Sequence, residues 1–325
     1  VLAVSAGLPE HGGPAVEALR AQLGRLARRL GIRLLGPDSL GIQVPALHLN
    51  ASLAPVTALP GPLAFLSQSG AVANAVMDWA EGRGIGFSAV VSTGAMAEAD
   101  FADGLDHFGR DGSTRAILLY LEEVVEARRF LSAARAAARL KPIIVLRAGR
   151  HDEADAVYDA VCRRAGMLRV QDLRELFEAA ETLGLARPTR GERLAVVTNG
   201  GGIGAIAADA LSAAGGRAAD LTEATMEKLR ALMPNGGMVG HGQAMPARHC
   251  YSEARIPAYD TPEAAVRAFR HVVDYRRARE ALTQTPPSIP EAFTTHVLSA
   301  RQVAAAVLAE GRNSLRPQEI DAVLQ

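Results

Sequence analysis

Two stretches far apart in the chain repeat one design: Leu63-Ala-Phe-Leu-Ser-Gln-Ser-Gly-Ala-Val-Ala-Asn-Ala-Val76 and Leu194-Ala-Val-Val-Thr-Asn-Gly-Gly-Gly-Ile-Gly-Ala-Ile-Ala207. Each is a short apolar run, a polar and glycine-rich corner, and an Ala-rich stretch of helical character. This reads as strand, turn and helix, twice. At such a corner the first backbone N–H groups of the helix lack an intrahelical acceptor, and the macrodipole adds partial positive charge. A phosphate or carboxylate therefore fits there, and two corners could hold one anion between them.

The rest of the pattern supports an α/β fold. From Leu63 to Ala186 apolar strands alternate with helices: Leu63–Leu66, Ala71–Glu81, Phe87–Val91, Phe101–Phe108, Ala116–Leu121, Val125–Arg139, Ile143–Leu146 and Leu173–Leu185. Continuous apolar strands joined by helices predict a parallel sheet covered on both faces. A second series begins at Gly191, with a strand over 194–197, a helix over 203–213, a short strand near Arg217–Ala219 and helices over Glu223–Leu232 and Pro262–Arg279. Thr283-Gln-Thr-Pro-Pro-Ser-Ile-Pro290 reads as a stiff linker before a helix at Ser299–Glu310. Two places break this logic: after Arg147 a strand runs almost directly into a helix, and glycine clusters at Asn235–Ala244 stand where sheet elements are needed. The chain also opens inside an apolar run at Val1 and stops inside a helical pattern at Gln325, as a fragment does.

Composition excludes several classes. With 325 residues, 49% of them hydrophobic, the chain can bury a core, and length suggests about two domains. The 35 basic and 35 acidic residues cancel, leaving no footprint for nucleic acid or a membrane surface. The two cysteines, Cys162 and Cys250, offer neither a disulfide framework nor zinc-ligand spacing, so a reducing cytoplasm is the expected setting. Small molecules or proteins are the expected partners.

Candidate site residues follow from the corners. Ser67, Gln68, Ser69 and Gly70 offer hydroxyls and close backbone approach at a helix start, although Ser67 or Ser69 would equally serve as an ordinary N-cap. Thr198-Asn-Gly-Gly-Gly-Ile-Gly204 is richer in glycine than a cap requires, but lacks the GxGxxG spacing of a dinucleotide fingerprint. Glu122 and Glu123 follow the strand Ile117–Leu121, at the carboxyl end that faces the ligand crevice in a parallel sheet. Gly36-Pro-Asp-Ser-Leu-Gly41 reads from its chemistry as a tight bend, and the histidines show no metal spacing.

Taken together, Leu34-Leu-Gly-Pro-Asp-Ser-Leu-Gly41, Leu49-Asn-Ala-Ser52, Phe65-Leu-Ser-Gln-Ser-Gly70, Ala116-Ile-Leu-Leu-Tyr-Leu-Glu122, Lys141-Pro-Ile-Ile-Val with Ala148-Gly-Arg150, and Thr198-Asn-Gly-Gly-Gly202 resemble the NDP-forming acyl-CoA synthetases, relatives of succinyl-CoA synthetase. The likeness keeps the family's order along nearly the whole chain. It implies the tail of a Rossmann-like CoA-binding domain over residues 1–60. Two flavodoxin-like domains of the succinyl-CoA synthetase kind, with parallel sheets, would follow over 61–188 and, incomplete, 189–287. The start of an ATP-grasp domain would occupy 288–325.

In that family acyl-CoA and phosphate give an acyl phosphate, and the phosphoryl group passes to a histidine and then to ADP. The resemblance assigns phosphate binding to Ser67, Gln68, Ser69, Gly70, Asn199, Gly200, Gly201 and Gly202, orientation of the phosphohistidine to Glu122, and CoA binding to Gly36, Pro37, Asp38 and Ser39. It implies acyl-CoA or CoA, ADP or ATP, and phosphate as ligands, with Mg2+ bound outside this chain. The implied partners are other domains of one polypeptide or a second copy of the chain, with no membrane and no nucleic acid. One departure is decisive. The family's His-Thr-Gly loop follows the position of Arg150, and here His151-Asp-Glu-Ala154 carries no such motif, so the role is not assigned to His151. Ala127–Arg135, Ala165–Asp172 and Asp274–Arg277 also resemble a branch fused to a GNAT-type protein lysine acetyltransferase. That leaves a catalytically silent, acyl-CoA-sensing module acting on protein substrates as the alternative.

Overall fold

A computed structural model describes residues 13–149, 155–185, 191–198, 201–232, 257, 259, 261–283, 297–312, 316 and 318–319. The chain divides into two units, residues 1–283 and 284–325. The glycine cluster at 235–244, the His151–Ala154 segment and residues 284–290 of the expected linker lie outside the described residues.

In the first unit, β3 (Pro60–Ser67), β4 (Phe87–Ser92), β5 (Ala116–Leu121), β6 (Ile143–Arg147) and β7 (Leu168–Val170) form a parallel sheet in the order β4-β3-β5-β6-β7. Numbered from β3, this is the doubly wound order 2-1-3-4-5 of flavodoxin-like folds. The strands are mostly apolar and buried because both faces are covered. Their side chains alternate between two cores: Ala64, Leu66, Ile117, Leu119, Ile143 and Val145 face one, and Leu63, Phe65, Ala116, Leu118, Ile144 and Leu146 the other.

The first core is closed by α3 (Phe101–Arg110), α4 (Ala127–Ala138) and α5 (Asp155–Ala165), through Phe101, Leu105, Phe130, Ala134 and Cys162. On the opposite face lie α2 (Gly70–Glu81) and α6 (Leu173–Leu185), where Trp79 stacks on Phe177 with ring centroids 3.7 Å apart. Small alanines on α4 and α6 let these helices approach the sheet closely. The start of α3 is legible in its sequence: Asp100 accepts from the amides of Ala102 and Asp103 while Asp103 accepts from that of Asp100, a reciprocal capping box.

Four features differ from the sequence expectation. Helix α1 (Gly13–Arg29) precedes the sheet, and β1 (Gly41–Val44) and β2 (Leu49–Ser52) extend it antiparallel from β4, so the sheet is mixed rather than wholly parallel. Four-residue strands carrying Gly, Gln, Asn and Ser give too short an alternation to be read as strands. The three-residue β7 likewise goes beyond the expected elements, whereas α5 is the helix expected shortly after Arg147. In the second series the strand expected over 194–197 shrinks to β8 (Arg193–Leu194), paired with β9 (Arg217–Ala218), and Val197 is exposed.

Helices α7 (Gly201–Ala213) and α8 (Glu223–Leu232) match their sequence patterns closely, and α9 extends over Pro262–Thr283. Helix α9 also packs on the first series. Its Leu282 enters the core beside Ala165 and Met167, its Arg267 binds Glu178 of α6, and Arg276 and Arg277 both bind Glu192. In the second unit the described residues form α10 (Val297–Ala309).

Candidate functional site

In a doubly wound sheet, helices leave opposite faces at the strands flanking the order reversal, and their separation opens a crevice at the carboxyl ends. Here those strands are β3 and β5, and one side chain ties their exits together. Gln68, immediately after β3 and 9% exposed, accepts hydrogen bonds at Oε1 from the amides of Glu122 (2.5 Å) and Glu123 (3.0 Å), while its own amide donates to the Tyr120 carbonyl. Two donors at Oε1 fix which end of the carboxamide is oxygen, so Nε2 is held as a donor on the other side.

The next residues build the helix start. Ser69 is the N-cap of α2, its hydroxyl accepting from the Val72 amide at 3.3 Å. Gly70 and Ala71 occupy the first helical positions, where the geometry of an α-helix leaves their amides without an acceptor inside it. Ser67 lies behind this wall, fully buried, with its hydroxyl donating to the Ser69 carbonyl.

The facing wall is the turn from Gly36 to Ser39, laid against the exit of β4. The carbonyls of Pro37 and Gly36 accept from the amides of Ala95 (2.8 Å) and Ala97 (3.0 Å). The buried Ser39 hydroxyl donates to the Ser92 carbonyl at 2.5 Å and accepts from the Gly41 amide at 2.9 Å. This close approach requires Gly94: its φ is +56°, and a Cβ there would lie 2.1 Å from the Pro37 carbonyl oxygen. The turn presents Asp38, whose carboxylate accepts from Arg20 of α1 at 3.3 Å.

These elements enclose an open cavity of about 440 Å³, lined by Arg20, Asp38, Gln68, Ser69, Gly70 and Ala71, with Gly94, Ala95, Glu122 and Glu123 completing its rim. Glu122 also interacts with Tyr120: burial, then the Glu122 charge and its hydrogen bond, push the phenol above its ordinary pKa. Hydrogen-bond donors and carboxylates therefore share one crevice, an arrangement suited to holding a charged group and orienting a polar one. No group of three or more metal-ligating side chains occurs among the described residues.

The structure thus brings together Asp38, Gln68, Ser69, Gly70 and Glu122 from the sequence candidates. Gly36, Pro37 and Ser39 support the turn from within, and Ser67 supports the corner. Of the second corner, Asn199 and Gly200 lie outside the described residues, and Gly201 and Gly202 open α7 without lining this cavity. Sequence reasoning misses Arg20, because α1 is not among the expected helices, and it misses Gly94-Ala95. A glycine shortly after the apolar strand Phe87–Ser92 is the available signal for the latter.

A doubly wound sheet with a helix N-terminus at its switch point defines a class of ligand-binding α/β proteins that take anionic or phosphorylated groups. Comparison with known proteins narrows the class. Residues 60–183 match the family described as succinyl-CoA ligase like flavodoxin domain. The chain is 41% identical over 223 residues to the ADP-forming acetate–CoA ligase I subunit alpha of Pyrococcus furiosus, covering 64% of this chain and 48% of that protein. It is 36% identical over 245 residues to the ADP-forming acetate–CoA ligase I of Archaeoglobus fulgidus, covering 71% of this chain and 35% of that one.

Among solved structures, a dinucleotide-forming acetyl-coenzyme A synthetase 1 from Candidatus Korarchaeum cryptofilum, in complex with phosphate and ADP, superposes with a TM-score of 0.78 at 26% identity, covering 88% of this chain and 80% of that one. Residues 60–183 thus form a flavodoxin-like domain of the succinyl-CoA ligase kind, in a chain similar over much of its length to ADP-forming acetate–CoA ligases. The chain spans about half or less of the length of the two curated relatives. No helix among the described residues is long and apolar enough to cross a membrane.

Proposed function

We propose that this chain is the acyl-CoA and phosphate-handling part of an ADP-forming acyl-CoA ligase. In the reaction proposed, phosphate oxygen attacks the thioester carbonyl, the C–S bond breaks, and acyl phosphate and CoA thiol leave. The observation that carries the reading is the convergence of Gln68, Ser69 and Gly70 with Asp38 and Glu122 on one cavity at the switch point.

In this reading the α2 N-terminus and the Gln68 Nε2 donor hold phosphate, the Gly36–Ser39 turn holds the CoA side, and Glu122 orients the phosphate acceptor. The glycines of the second corner support it too. A Cβ on Gly201 or Gly202 would meet nothing within 4 Å, so their small size answers no need of the described chain and suits a ligand against the α7 N-terminus. The domain division at 60, 188 and 287 and the ADP, Mg2+ and partner assignments belong to the same proposal. The relatives compared above are named as CoA ligases or synthetases, which favours ligase chemistry over the acetyltransferase-linked alternative.

The family's phosphohistidine is not assigned to a residue here, and the first half-reaction does not call on one. The test follows from that separation. The purified protein is incubated with acetyl-CoA and phosphate, and free CoA thiol and hydroxamate-trapped acyl phosphate are measured. Equal, phosphate-dependent release of both is expected. Absence of phosphate-dependent release from a panel of short-chain and aromatic acyl-CoA thioesters overturns the reading.

A further inference from the structure

Three consecutive amides at the exit of β5 are taken by side chains from other elements. Gln68 Oε1 accepts those of Glu122 and Glu123, and the phenol oxygen of Tyr158 on α5 accepts that of Val124 at 3.2 Å. Gln68 leaves β3 and Tyr158 follows β6, the strands on either side of β5 in the sheet. The loop that carries Glu122 and Glu123 into the cavity is therefore held from both flanks. One holder lines the site, and the other stands behind it.

Tyr158 is itself anchored. The guanidinium carbon of Arg147, a residue 5% exposed at the end of β6, lies 4.1 Å from the Tyr158 ring centroid, and a cation over an aromatic face resists tilting of the ring. The same guanidinium donates to Asp155 Oδ1 at 3.1 Å, one turn earlier on α5, and Asp155 also accepts from Arg169 of β7. The side chain of Val124 packs against the first core. Water could satisfy the Val124 amide almost as well, but it would not fix where that amide lies. A phenol clamped between β6 and α5 does fix it, so the contact sets a position as well as filling a hydrogen bond.

We propose that Tyr158 is a positioning residue of this site: by holding the Val124 amide it sets the Glu122 and Glu123 amides against Gln68 Oε1, and so the direction in which Gln68 Nε2 meets phosphate. The inference rests on the phosphate-holding role of Gln68 given above and adds the residue that governs it from outside the cavity.

The experiment compares wild type, Tyr158→Phe, Gln68→Leu and the double variant in phosphate-dependent cleavage of acetyl-CoA, with backbone amide hydrogen exchange followed on wild type and Tyr158→Phe. Phenylalanine removes the phenol oxygen and keeps a ring beneath Arg147. The expected result for Tyr158→Phe is a KM for phosphate raised about fivefold or more, with the KM for acetyl-CoA within about twofold of wild type, and faster exchange at Glu122, Glu123 and Val124. A loss of stability alone would lower the active fraction and kcat while leaving both KM values in place. In the Gln68→Leu background the hydroxyl should have no further effect, because the side chain through which it acts is gone. If Gln68→Leu does not fold, Gln68→Glu, which keeps an acceptor for the two amides and lacks the Nε2 donor, takes its place. An unchanged phosphate KM in Tyr158→Phe, or the same fold-change with and without Gln68, overturns the proposal and leaves the phosphate site standing. Failure of the wild type to cleave any acyl-CoA with phosphate overturns the underlying reading instead. The exchange data then decide the link between Tyr158 and the loop by themselves, and wild-type exchange at Glu122 and Glu123 in Tyr158→Phe overturns it.

Discussion

Gln68 Oε1 stands 2.5 Å from the amide nitrogen of Glu122, so a side chain from the exit of one strand supplies the hydrogen bond that the backbone at the exit of its neighbour lacks. The same oxygen takes the Glu123 amide at 3.0 Å. One carboxamide thus joins the Glu122–Glu123 loop to the cavity lining.

Replacing Gln68 separates those roles. Gln68→Leu leaves two amides in a largely enclosed setting without their acceptor, and the expected loss of stability is about 1–3 kcal/mol. Gln68→Glu retains an acceptor for both amides but removes the Nε2 donor and adds a carboxylate to the cavity, so it should weaken phosphate binding more than it lowers stability. Urea denaturation and phosphate titration of the two variants check this. A Gln68→Leu midpoint equal to wild type would mean that the loop is held by other contacts.

Two glycines with similar φ should respond differently to alanine. Gly84 has φ of +66° with nothing within 4 Å of where a Cβ would stand, so Gly84→Ala should cost only the left-handed penalty, about 1–2 kcal/mol. Gly94 combines φ of +56° with the Pro37 carbonyl oxygen 2.1 Å from the place a Cβ would take. Gly94→Ala should therefore cost more and also displace the turn that presents Asp38, reducing ligand binding in protein that remains folded. Equal losses in the two variants, read from denaturant midpoints, would show that the approach of the two loops relaxes freely.

How much of this is legible in the sequence depends on the length and company of each segment. Ala116–Leu121 and Ile143–Arg147 are buried along nearly their whole length, and their apolar runs alone mark them as inner parallel strands. The Ser67–Gly70 corner and Glu122 stand out because strand ends and helix starts leave a sequence signature. By contrast, Gly41–Val44 and Leu49–Ser52 acquire strand character by pairing with each other and with β4, a tertiary effect. Arg20 escapes notice for the same reason: 18 residues separate it from Asp38, and only the packing of α1 brings the two together. The link from Gln68 to Glu122 crosses 54 positions and has no sequence signature at all.

Gly201 offers a test of the second corner that is free of folding side effects. The position has open space and begins a helix, so Gly201→Leu should leave stability unchanged or raise it by up to about 1 kcal/mol through helix propensity. If the α7 N-terminus meets a phosphoryl group, the same variant should lose phosphoryl transfer or phosphate affinity despite its intact fold. A variant that is as stable and as active as wild type would remove this corner from the site.

Burial of His271 on α9 is expected to make the stability of the fold sensitive to pH. It is 8% exposed, its Nε2 is buried without a hydrogen-bond partner, and burial, the largest influence, lowers its pKa from 6.5. Asp274 on α9 and Glu178 on α6 favour the imidazolium, while Arg267 and Arg270 on α9 oppose it, and desolvation prevails. Because the folded pKa lies below the unfolded one, the unfolded chain takes up the proton first as pH falls. This group therefore costs no stability above the unfolded pKa and reduces stability progressively below it, until the folded pKa is passed. The limiting slope is about 1.4 kcal/mol per pH unit for one proton. Denaturant midpoints between about pH 7.5 and 5 should fall for wild type more steeply than for His271→Gln, which cannot titrate. Parallel curves for the two proteins would place the acid sensitivity elsewhere and leave His271 as packing alone.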